Sequence, residues 1–277
     1  MLLLSSTAFA LPLAPQDPTK IQLPATFTED YDFEGIVALS NCSGSIVRFE
    51  QSLETDKGWV MTNGHCNDGG FVPAGKTIYK KPISRSFTVL DPHAQSLGKV
   101  HATELTYATM TGTDVAFYRL SETYADIKNQ FNVRPLTIES EQPRVSDNLE
   151  IISGYWKRGY TCAVEAFIFQ LKEDQWTFAN SLRFSRPGCE TIGGTSGSPI
   201  IRKGTRTVIG INNTGNESGR QCTMNNPCEV DEAGHISFTK GFSYGQQTYL
   251  VYSCLNSQRD IDLSRIGCAL NTSNRPQ

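Results

Sequence analysis

Three side chains in separate segments of the chain are of the types needed for nucleophilic hydrolysis. His65 follows the apolar run of "WVMTNGHC", Asp114 precedes the apolar run of "TDVAFYRL", and Ser196 lies in the glycine-rich "ETIGGTSGSPIIR". An imidazole titrates near neutrality, so it can take a proton from a serine hydroxyl and return it to a leaving group. A carboxylate beside the imidazole holds its tautomer and stabilises the imidazolium. The pattern predicts that Ser196 is a nucleophile served by His65 and Asp114.

Each of these residues, taken alone, also has a structural explanation. Glycine-rich turns that contain Ser are common, and His65 fits a turn at the end of a strand. Asp114 fits a residue at the start of a strand that accepts a hydrogen bond from a backbone amide. The hypothesis of catalysis therefore depends on the presence of all three.

The segments that must position these side chains have the pattern of β-strands. They are short, rich in β-branched and aromatic residues, and separated by Gly, Pro, Asn and Asp turns. The predicted strands are "GIVAL", "SGSIVRF", "GWVMT", "FTVL", "DVAFYRL", "LEIISGY", "EAFIFQL", "SPIIR", "TVIGIN" and "QTYLVY". Helices are predicted only at 121–131, with Ser121 as cap, and at 256–266, with Asn256 as cap. The pattern indicates an all-β sandwich or barrel.

Composition and charge exclude several classes of partner. The chain of 277 residues carries a net charge of −3 and has no block rich in Lys and Arg, so a nucleic-acid partner is not expected. No run reaches the roughly 18 apolar residues that span a bilayer, so no membrane association is expected either. We expect a monomer.

The first thirty residues have the composition of a processed leader. Residues 1–10 read as a signal peptide, because Ala8 and Ala10 match the small-residue pattern before a cleavage site. No Lys or Arg precedes the apolar run, which also fits the end of a longer signal peptide. Residues 11–30 read as a pro-segment or N-terminal arm. The interpretation is a secreted protein, extracellular or periplasmic.

The cysteine content supports an oxidising compartment. The eight cysteines are an even number and lack the spacing of a zinc site, so we predict disulfides and no metal. Proximity along the chain suggests three pairs: Cys162 with Cys189, Cys222 with Cys228, and Cys254 with Cys268.

Four segments resemble, in order, those of the chymotrypsin-like (trypsin-like) serine proteases. "TNGHC" is similar to the family's T-A-A-H-C, "TDVAFYRL" to D-I-A-L-L-x-L, and "GGTSGSPI" to the G-N-S-G-S-P of the secreted bacterial branch, which includes V8-type glutamyl endopeptidases. "NCSGSIV" is similar to C-G-G-S-L-I, which implies a disulfide between Cys42 and Cys66. The resemblance runs from about residue 35 to about residue 252.

The resemblance implies a mechanism and a set of site residues. Ser196 is the implied nucleophile, His65 the general base and acid, and Asp114 the orienting carboxylate. The backbone amides of Gly194 and Ser196 are the implied oxyanion hole. The expected reaction is hydrolysis of protein or peptide substrates through an acyl-enzyme without a cofactor, and protein inhibitors are expected partners.

The resemblance also implies the architecture. It is two six-stranded antiparallel β-barrels of the chymotrypsin type, at about 31–135 and 136–253, with the active site between them. A C-terminal helix or extension follows at 254–277. The protease domain is thus expected to span 31–277.

Around the expected substrate pocket the sequence departs from the family. Thr195 stands where animal trypsins have the Asp that pairs with a new N-terminus. Asn213 replaces the Ser that supports the catalytic Asp, and Thr214 replaces an aromatic wall. Gly215 matches the glycine at the pocket mouth. Activation through a salt bridge at position 195 is therefore not expected.

The expected primary pocket leaves the substrate preference open. In trypsins the residue six positions before the nucleophile forms the base of the primary pocket, and here that position is Glu190, with Thr191 beside it. This suggests cleavage after Arg or Lys, because a buried carboxylate needs a cation. Alternatively, a disulfide at Cys189 turns Glu190 toward solvent. A preference for acidic residues is less supported, because Asn212 stands where the V8-type branch has His.

A second function of another class fits the same fold. It is a catalytically silent homologue that acts as a binding module. The intact set of site residues disfavours it, because a binding module does not need a complete triad and both oxyanion residues.

Overall fold

The computed structural model describes residues 31–270, almost all of them in β-structure and turns. The strands are β1 (Ile36–Ala38), β2 (Ser43–Arg48), β3 (Lys57–Thr62), β4 (Thr77–Leu90), β5 (Ser96–Thr109), β6 (Val115–Thr123), β7 (Leu136–Ile138), β8 (Asn148–Ser153), β9 (Arg158–Glu173), β10 (Trp176–Phe184), β11 (Pro199–Arg202), β12 (Thr207–Gly215), β13 (Cys228–Val230), β14 (Ile236–Ser237) and β15 (Ser243–Gln247). The helices are α1 (Tyr124–Phe131) and the 3₁₀ helices Gly64–Cys66 and Tyr249–Cys254. No helix in this range is long and apolar enough to cross a membrane.

The strands form two closed barrels of six strands each. The first runs β1-β4-β5-β6-β3-β2 and closes through the antiparallel pairing of β1 with β2. The second runs β12-β11-β8-β9-β10-β15 and closes through the antiparallel pairing of β12 with β15. Strand β7 links them, because it pairs in parallel with β2 and with β12. The prediction of an all-β fold with two six-stranded barrels is confirmed.

Buried apolar side chains tie one hairpin of the second barrel to the first barrel. A single cluster contains Val60 and Phe87 of the first barrel together with Trp176 and Phe178 of β10. The backbone of Gly112 also bonds with that of β10, donating to Thr177 O and accepting from Ala179 N. The turn between β9 and β10 is therefore fixed against the first barrel, which matters for the site described below.

The predicted start of the first helix is wrong by a few residues. β6 continues through Ser121 to Thr123, and α1 begins after Thr123, which is its N-cap. Thr123 Oγ1 accepts a hydrogen bond from Asp126 N at 3.0 Å, and the Asp126 carboxylate accepts one from Thr123 N at 2.9 Å. This reciprocal capping box, which Ser121 cannot make, determines where the helix begins.

Two predictions near the C-terminus are also wrong. The "QTYLVY" segment forms a 3₁₀ helix rather than a strand, because β15 ends at Gln247 and has already closed the barrel on β10 and β12. The predicted helix at 256–266 is an extension without a helix, in which the Asn256 side chain accepts from the N–H of Gln258 and of Asp260. These bonds form a local turn that competes with a helix.

The eight cysteines form four disulfides. The pairs are Cys42–Cys66, Cys162–Cys189, Cys222–Cys228 and Cys254–Cys268. They are the pairs that the resemblance and chain proximity suggested. The signal peptide at 1–10 and the arm at 11–30 lie outside the described residues.

Candidate active site

A cleft between the barrels brings the three predicted catalytic side chains to one place. It is lined by His65 and Asp114 from the first barrel and by Ser196 and Asn213 from the second. His65 lies in the 3₁₀ helix directly after β3, and Asp114 directly precedes β6. Because β3 and β6 are antiparallel neighbours, with Thr62 opposite Ala116, the end of one strand meets the start of the other. The pairing of these two strands thus positions the His and the Asp.

Asp114 is buried and accepts hydrogen bonds with both of its oxygens. Its Oδ2 lies 2.7 Å from Nδ1 of His65, and its Oδ1 accepts from the backbone N–H of Gly64 at 2.6 Å and of His65 at 3.2 Å. Only 1% of the Asp114 side chain is exposed, compared with 19% of that of His65. The carboxylate therefore fixes the imidazole with Nδ1 toward itself and leaves Nε2 for the cleft.

The environment of His65 raises the pKa of its imidazole above the ordinary value of 6.5. Burial by itself disfavours the imidazolium and lowers the pKa, but the charge and the hydrogen bond of Asp114 outweigh it. The charge of Glu173 acts in the same direction. The site is thus built to stabilise a positively charged imidazole.

Ser196 lies in the turn that precedes β11. Its hydroxyl donates to the carbonyl oxygen of Asn213 at 3.1 Å, and its own carbonyl accepts from Ser43 N at 2.8 Å. In the part of the chain that the structure describes, no hydrogen bond joins Ser196 to His65. Catalytic hydrogen bonds are often long or poorly aligned without substrate, and the hydroxyl reaches another acceptor by rotation about χ1.

Two glycines beside Ser196 are required by the backbone. Gly194 has φ +89°, and a Cβ there would lie 2.7 Å from the Tyr155 ring. Gly197 has φ +81°, and a Cβ there would lie 2.2 Å from the backbone oxygen of Ser43. Gly193 has neither a positive φ nor a close neighbour, so the backbone does not require glycine at this position.

The expected oxyanion donors are free. Across residues 31–270, neither the N–H of Gly194 nor that of Ser196 donates to a protein acceptor. The carbonyl of Gly193, which shares a peptide unit with the Gly194 N–H, accepts from Trp156 Nε1 at 2.7 Å. Because a trans peptide points its N–H and C=O in opposite directions, this bond fixes the direction of the Gly194 N–H.

Glu190 does not form the base of a pocket, contrary to the first expectation. Its carboxylate accepts from the backbone N–H of Gly188 at 2.9 Å in an exposed position, and it does not line the cleft. The Cys162–Cys189 disulfide holds the adjacent residue in the core, so position 190 turns outward. Thr191 does line the cleft, and its N–H donates to Ser243 Oγ at 3.2 Å.

The other expected substrate-binding residues lie in the cleft, but one contact differs from expectation. Asn213 and Gly215 both line it. The buried Asn213 Nδ2 has no hydrogen-bond partner among the described residues, so it does not donate to Asp114 as a supporting residue would. Two backbone N–H groups provide that support instead. Thr195 is buried, and its hydroxyl lies 3.4 Å from that of Tyr160. Because Thr is uncharged, position 195 has no carboxylate that could pair with an N-terminal amine.

Sequence reasoning missed an aromatic and acidic wall on one side of the cleft. The Phe71 ring contacts those of His65 and Trp176 edge to face, with centroids 6.0 and 5.5 Å apart, and Trp176 Nε1 donates to Val72 O at 2.9 Å. Glu173 at the end of β9 lines the same cleft. The sequence "EAFIFQL" predicted a strand that leads to Glu173, but no pattern in it predicted a functional site. Glu173 lies more than 100 residues from His65 along the chain.

One cluster has the composition of a metal site. Sγ atoms of Cys42 and Cys66 and a ring nitrogen of His65 lie within 4.8 Å of one another. The two sulfurs are joined in a disulfide, so they are not thiolates that could bind a metal.

Solved structures with a similar fold are proteases of low sequence identity. The MamO protease domain from Magnetospirillum magneticum (apo form) is 13% identical, with 82% of this chain and 98% of that chain covered and a TM-score of 0.47. The protease Anisep from Arthrobacter nicotinovorans is 15% identical, with 83% and 97% covered and a TM-score of 0.47. A Glu endopeptidase in complex with MPD is 14% identical, with 78% and 85% covered and a TM-score of 0.43. No curated protein matches the chain.

Fold and family together define the class of this protein as a serine-type endopeptidase. The model of the trypsin-like peptidase domain matches residues 42–211, more than half of the chain. The chain belongs to that family.

Proposed function

We propose that this protein is a secreted serine endopeptidase in which Ser196, His65 and Asp114 act as a catalytic triad. The observation that carries the proposal is the buried Asp114 carboxylate 2.7 Å from His65 Nδ1, across a cleft from Ser196 and two free backbone amides. The arrangement supports the proposal because acyl transfer needs a nucleophile, a base, an orienting carboxylate and oxyanion donors in one site.

The proposed reaction has two halves. His65 Nε2 takes the hydroxyl proton as Ser196 Oγ bonds to the scissile carbonyl carbon, and the N–H groups of Gly194 and Ser196 donate to the resulting oxyanion. The C–N bond then breaks as the imidazolium gives its proton to the leaving amine, which leaves an ester on Ser196. Water, activated by the same imidazole, hydrolyses the ester and restores the free serine.

A fluorophosphonate probe tests the assignment of the nucleophile. An active triad transfers the phosphonyl group to Ser196, so mass spectrometry of the labelled protein should find the adduct on the peptide that contains residue 196. Denatured protein should not be labelled, because the reaction requires the folded site. Absence of label on the folded protein would indicate the silent binding module instead.

The pH profile follows from the raised pKa of His65. Only neutral imidazole accepts the Ser196 proton, so activity is lost as His65 becomes protonated on the acid side. Because the pKa lies above 6.5, we expect kcat/KM to fall with a midpoint above pH 6.5. Initial rates from pH 5 to 9 at constant ionic strength measure this midpoint. A midpoint at or below 6.5 would contradict the proposed coupling to Asp114.

Secretion is supported by the four disulfides, which are typical of proteins that fold in an oxidising compartment. N-terminal sequencing of protein recovered from the medium or the periplasm tests it, with cleavage expected after residue 10. A mature chain that keeps its first ten residues would contradict the proposed signal peptide.

A further inference from the structure

Glu173 is a buried carboxylate in the cleft that has no role in the proposed triad. It is the last residue of β9, only 6% exposed, and lines the cleft together with His65 and Ser196. Its Oε1 accepts from the backbone N–H of Asn225 at 2.7 Å, and Thr214 lines the same cleft.

Residues 31–270 provide no permanent cation for this carboxylate. No Lys or Arg among the described residues forms an ion pair with Glu173, and the charged groups that act on it are His65 and Asp114. Burial raises the pKa of Glu173, which the polar neighbours Thr214 and Asn225 partly oppose. A buried carboxylate without a cationic partner is costly for the fold, whereas a cation from a substrate would stabilise it.

The surroundings of Glu173 fit a long aliphatic cation. The cleft beside it is lined by the apolar side chains of Phe71, Met110, Trp176 and Phe178. Lys and Arg bury their methylene stems against such surfaces and keep the charged head on a polar partner. Their heads are also attracted by aromatic faces.

The direction of the substrate identifies which of its residues reaches Glu173. We place the substrate backbone along residues 213–215 as an added strand, because the Asn213 carbonyl lies 3.1 Å from Ser196 Oγ, and successive side chains of that strand point to opposite sides. The side chain of the residue whose carbonyl is attacked, P1, lies toward Thr191. The preceding side chain, P2, then points to the opposite side, where Thr214 and Glu173 line the cleft.

We propose that Glu173 is a specificity-determining residue that binds a Lys or Arg side chain at P2 of the substrate. The inference rests on the proposed protease function and narrows its substrates to chains with a basic residue directly before P1. Glu173 takes no part in bond making, so its contribution is to binding and selection.

Matched peptides test this subsite. N-acetylated fluorogenic peptides share one P1 residue and carry Lys, norleucine or Glu at P2. The peptides therefore differ only in the P2 side chain, which is positive, uncharged or negative. Wild-type enzyme should cleave the Lys peptide with a kcat/KM about tenfold or more above that of the uncharged norleucine peptide, and the Glu peptide least well. Glu173→Gln should bring the Lys-to-norleucine ratio close to one.

The ratio separates recognition from a structural role. If Glu173 only held the Asn225 loop, its replacement would lower the rates for all peptides and leave the ratio unchanged. Asp174→Asn is the matched control, because it removes one carboxylate from the next, exposed position of the same turn. We expect its ratio to stay within about twofold of wild type.

Three outcomes overturn the inference: a wild-type ratio near one, a ratio unchanged in Glu173→Gln, or an equal loss in Asp174→Asn. The wild-type ratio needs no variant, so it tests the inference even if Glu173→Gln does not fold. A failure of the protease function itself gives a different result, namely no cleavage of any peptide and no labelling of Ser196 by the fluorophosphonate.

Discussion

Ser196→Ala should abolish peptide hydrolysis and leave the fold intact. Loss of Oγ removes the atom that forms the acyl-enzyme, and the corresponding loss in a comparable triad is about a millionfold in kcat. The hydroxyl makes one hydrogen bond, to Asn213 O, so its removal should cost only about 1 kcal/mol of unfolding free energy. Burst and steady-state kinetics measure the first effect, and thermal unfolding measures the second.

Ser198→Ala is the matched control for this variant. Ser198 lies two residues along the same turn, is fully buried, and its Oγ has no hydrogen-bond partner within the described chain. Its replacement should therefore leave kcat within a few-fold of wild type. Substantial peptidase activity in a folded Ser196→Ala protein would refute the proposed mechanism.

Asp114→Asn should lower kcat by about 10⁴-fold, the second largest effect that the structure predicts. Oδ1 accepts from two backbone N–H groups and Oδ2 accepts from His65 Nδ1, so every neighbour of this carboxylate is a donor. An amide NH₂ in the place of Oδ2 would favour the imidazole tautomer with its proton on Nε2. That tautomer cannot accept a proton from Ser196.

Asp231→Asn is the matched control for Asp114. His235 Nδ1 lies 2.9 Å from Asp231 Oδ2, so the same type of pair exists on the exposed surface. Its loss should change neither kcat nor KM by more than about twofold. If a folded Asp114→Asn variant lost less than about tenfold in kcat, the carboxylate would not control the tautomer of His65.

The strands could be predicted from sequence because their signals are local, whereas the two six-stranded barrels were implied by the family resemblance. Short runs of β-branched and aromatic residues, such as "SGSIVRF" and "GWVMT", form β2 and β3 where the pattern places them. The long ribbon of β4 and β5 was recognised only at "FTVL", because the part of β4 before it carries exposed Lys and Ser residues and lacks an apolar alternation. The helix start at Thr123 and the turn at Asn256 depended on particular side-chain bonds, because Ser, Thr and Asn side chains can bond to several neighbouring backbone groups and the sequence does not show which bond forms.

The sequence by itself determined which residues are candidates for chemistry: His65, Asp114 and Ser196 are marked by their neighbours along the chain. The tertiary structure decided where the side chains of Glu190 and Glu173 lie relative to the cleft. Glu190 is turned to solvent beside the Cys162–Cys189 disulfide, and the hairpin packed on the first barrel brings Glu173 and Trp176 into the cleft. The physical reason is sequence separation: these placements depend on contacts between residues that lie far apart along the chain, which no local pattern records.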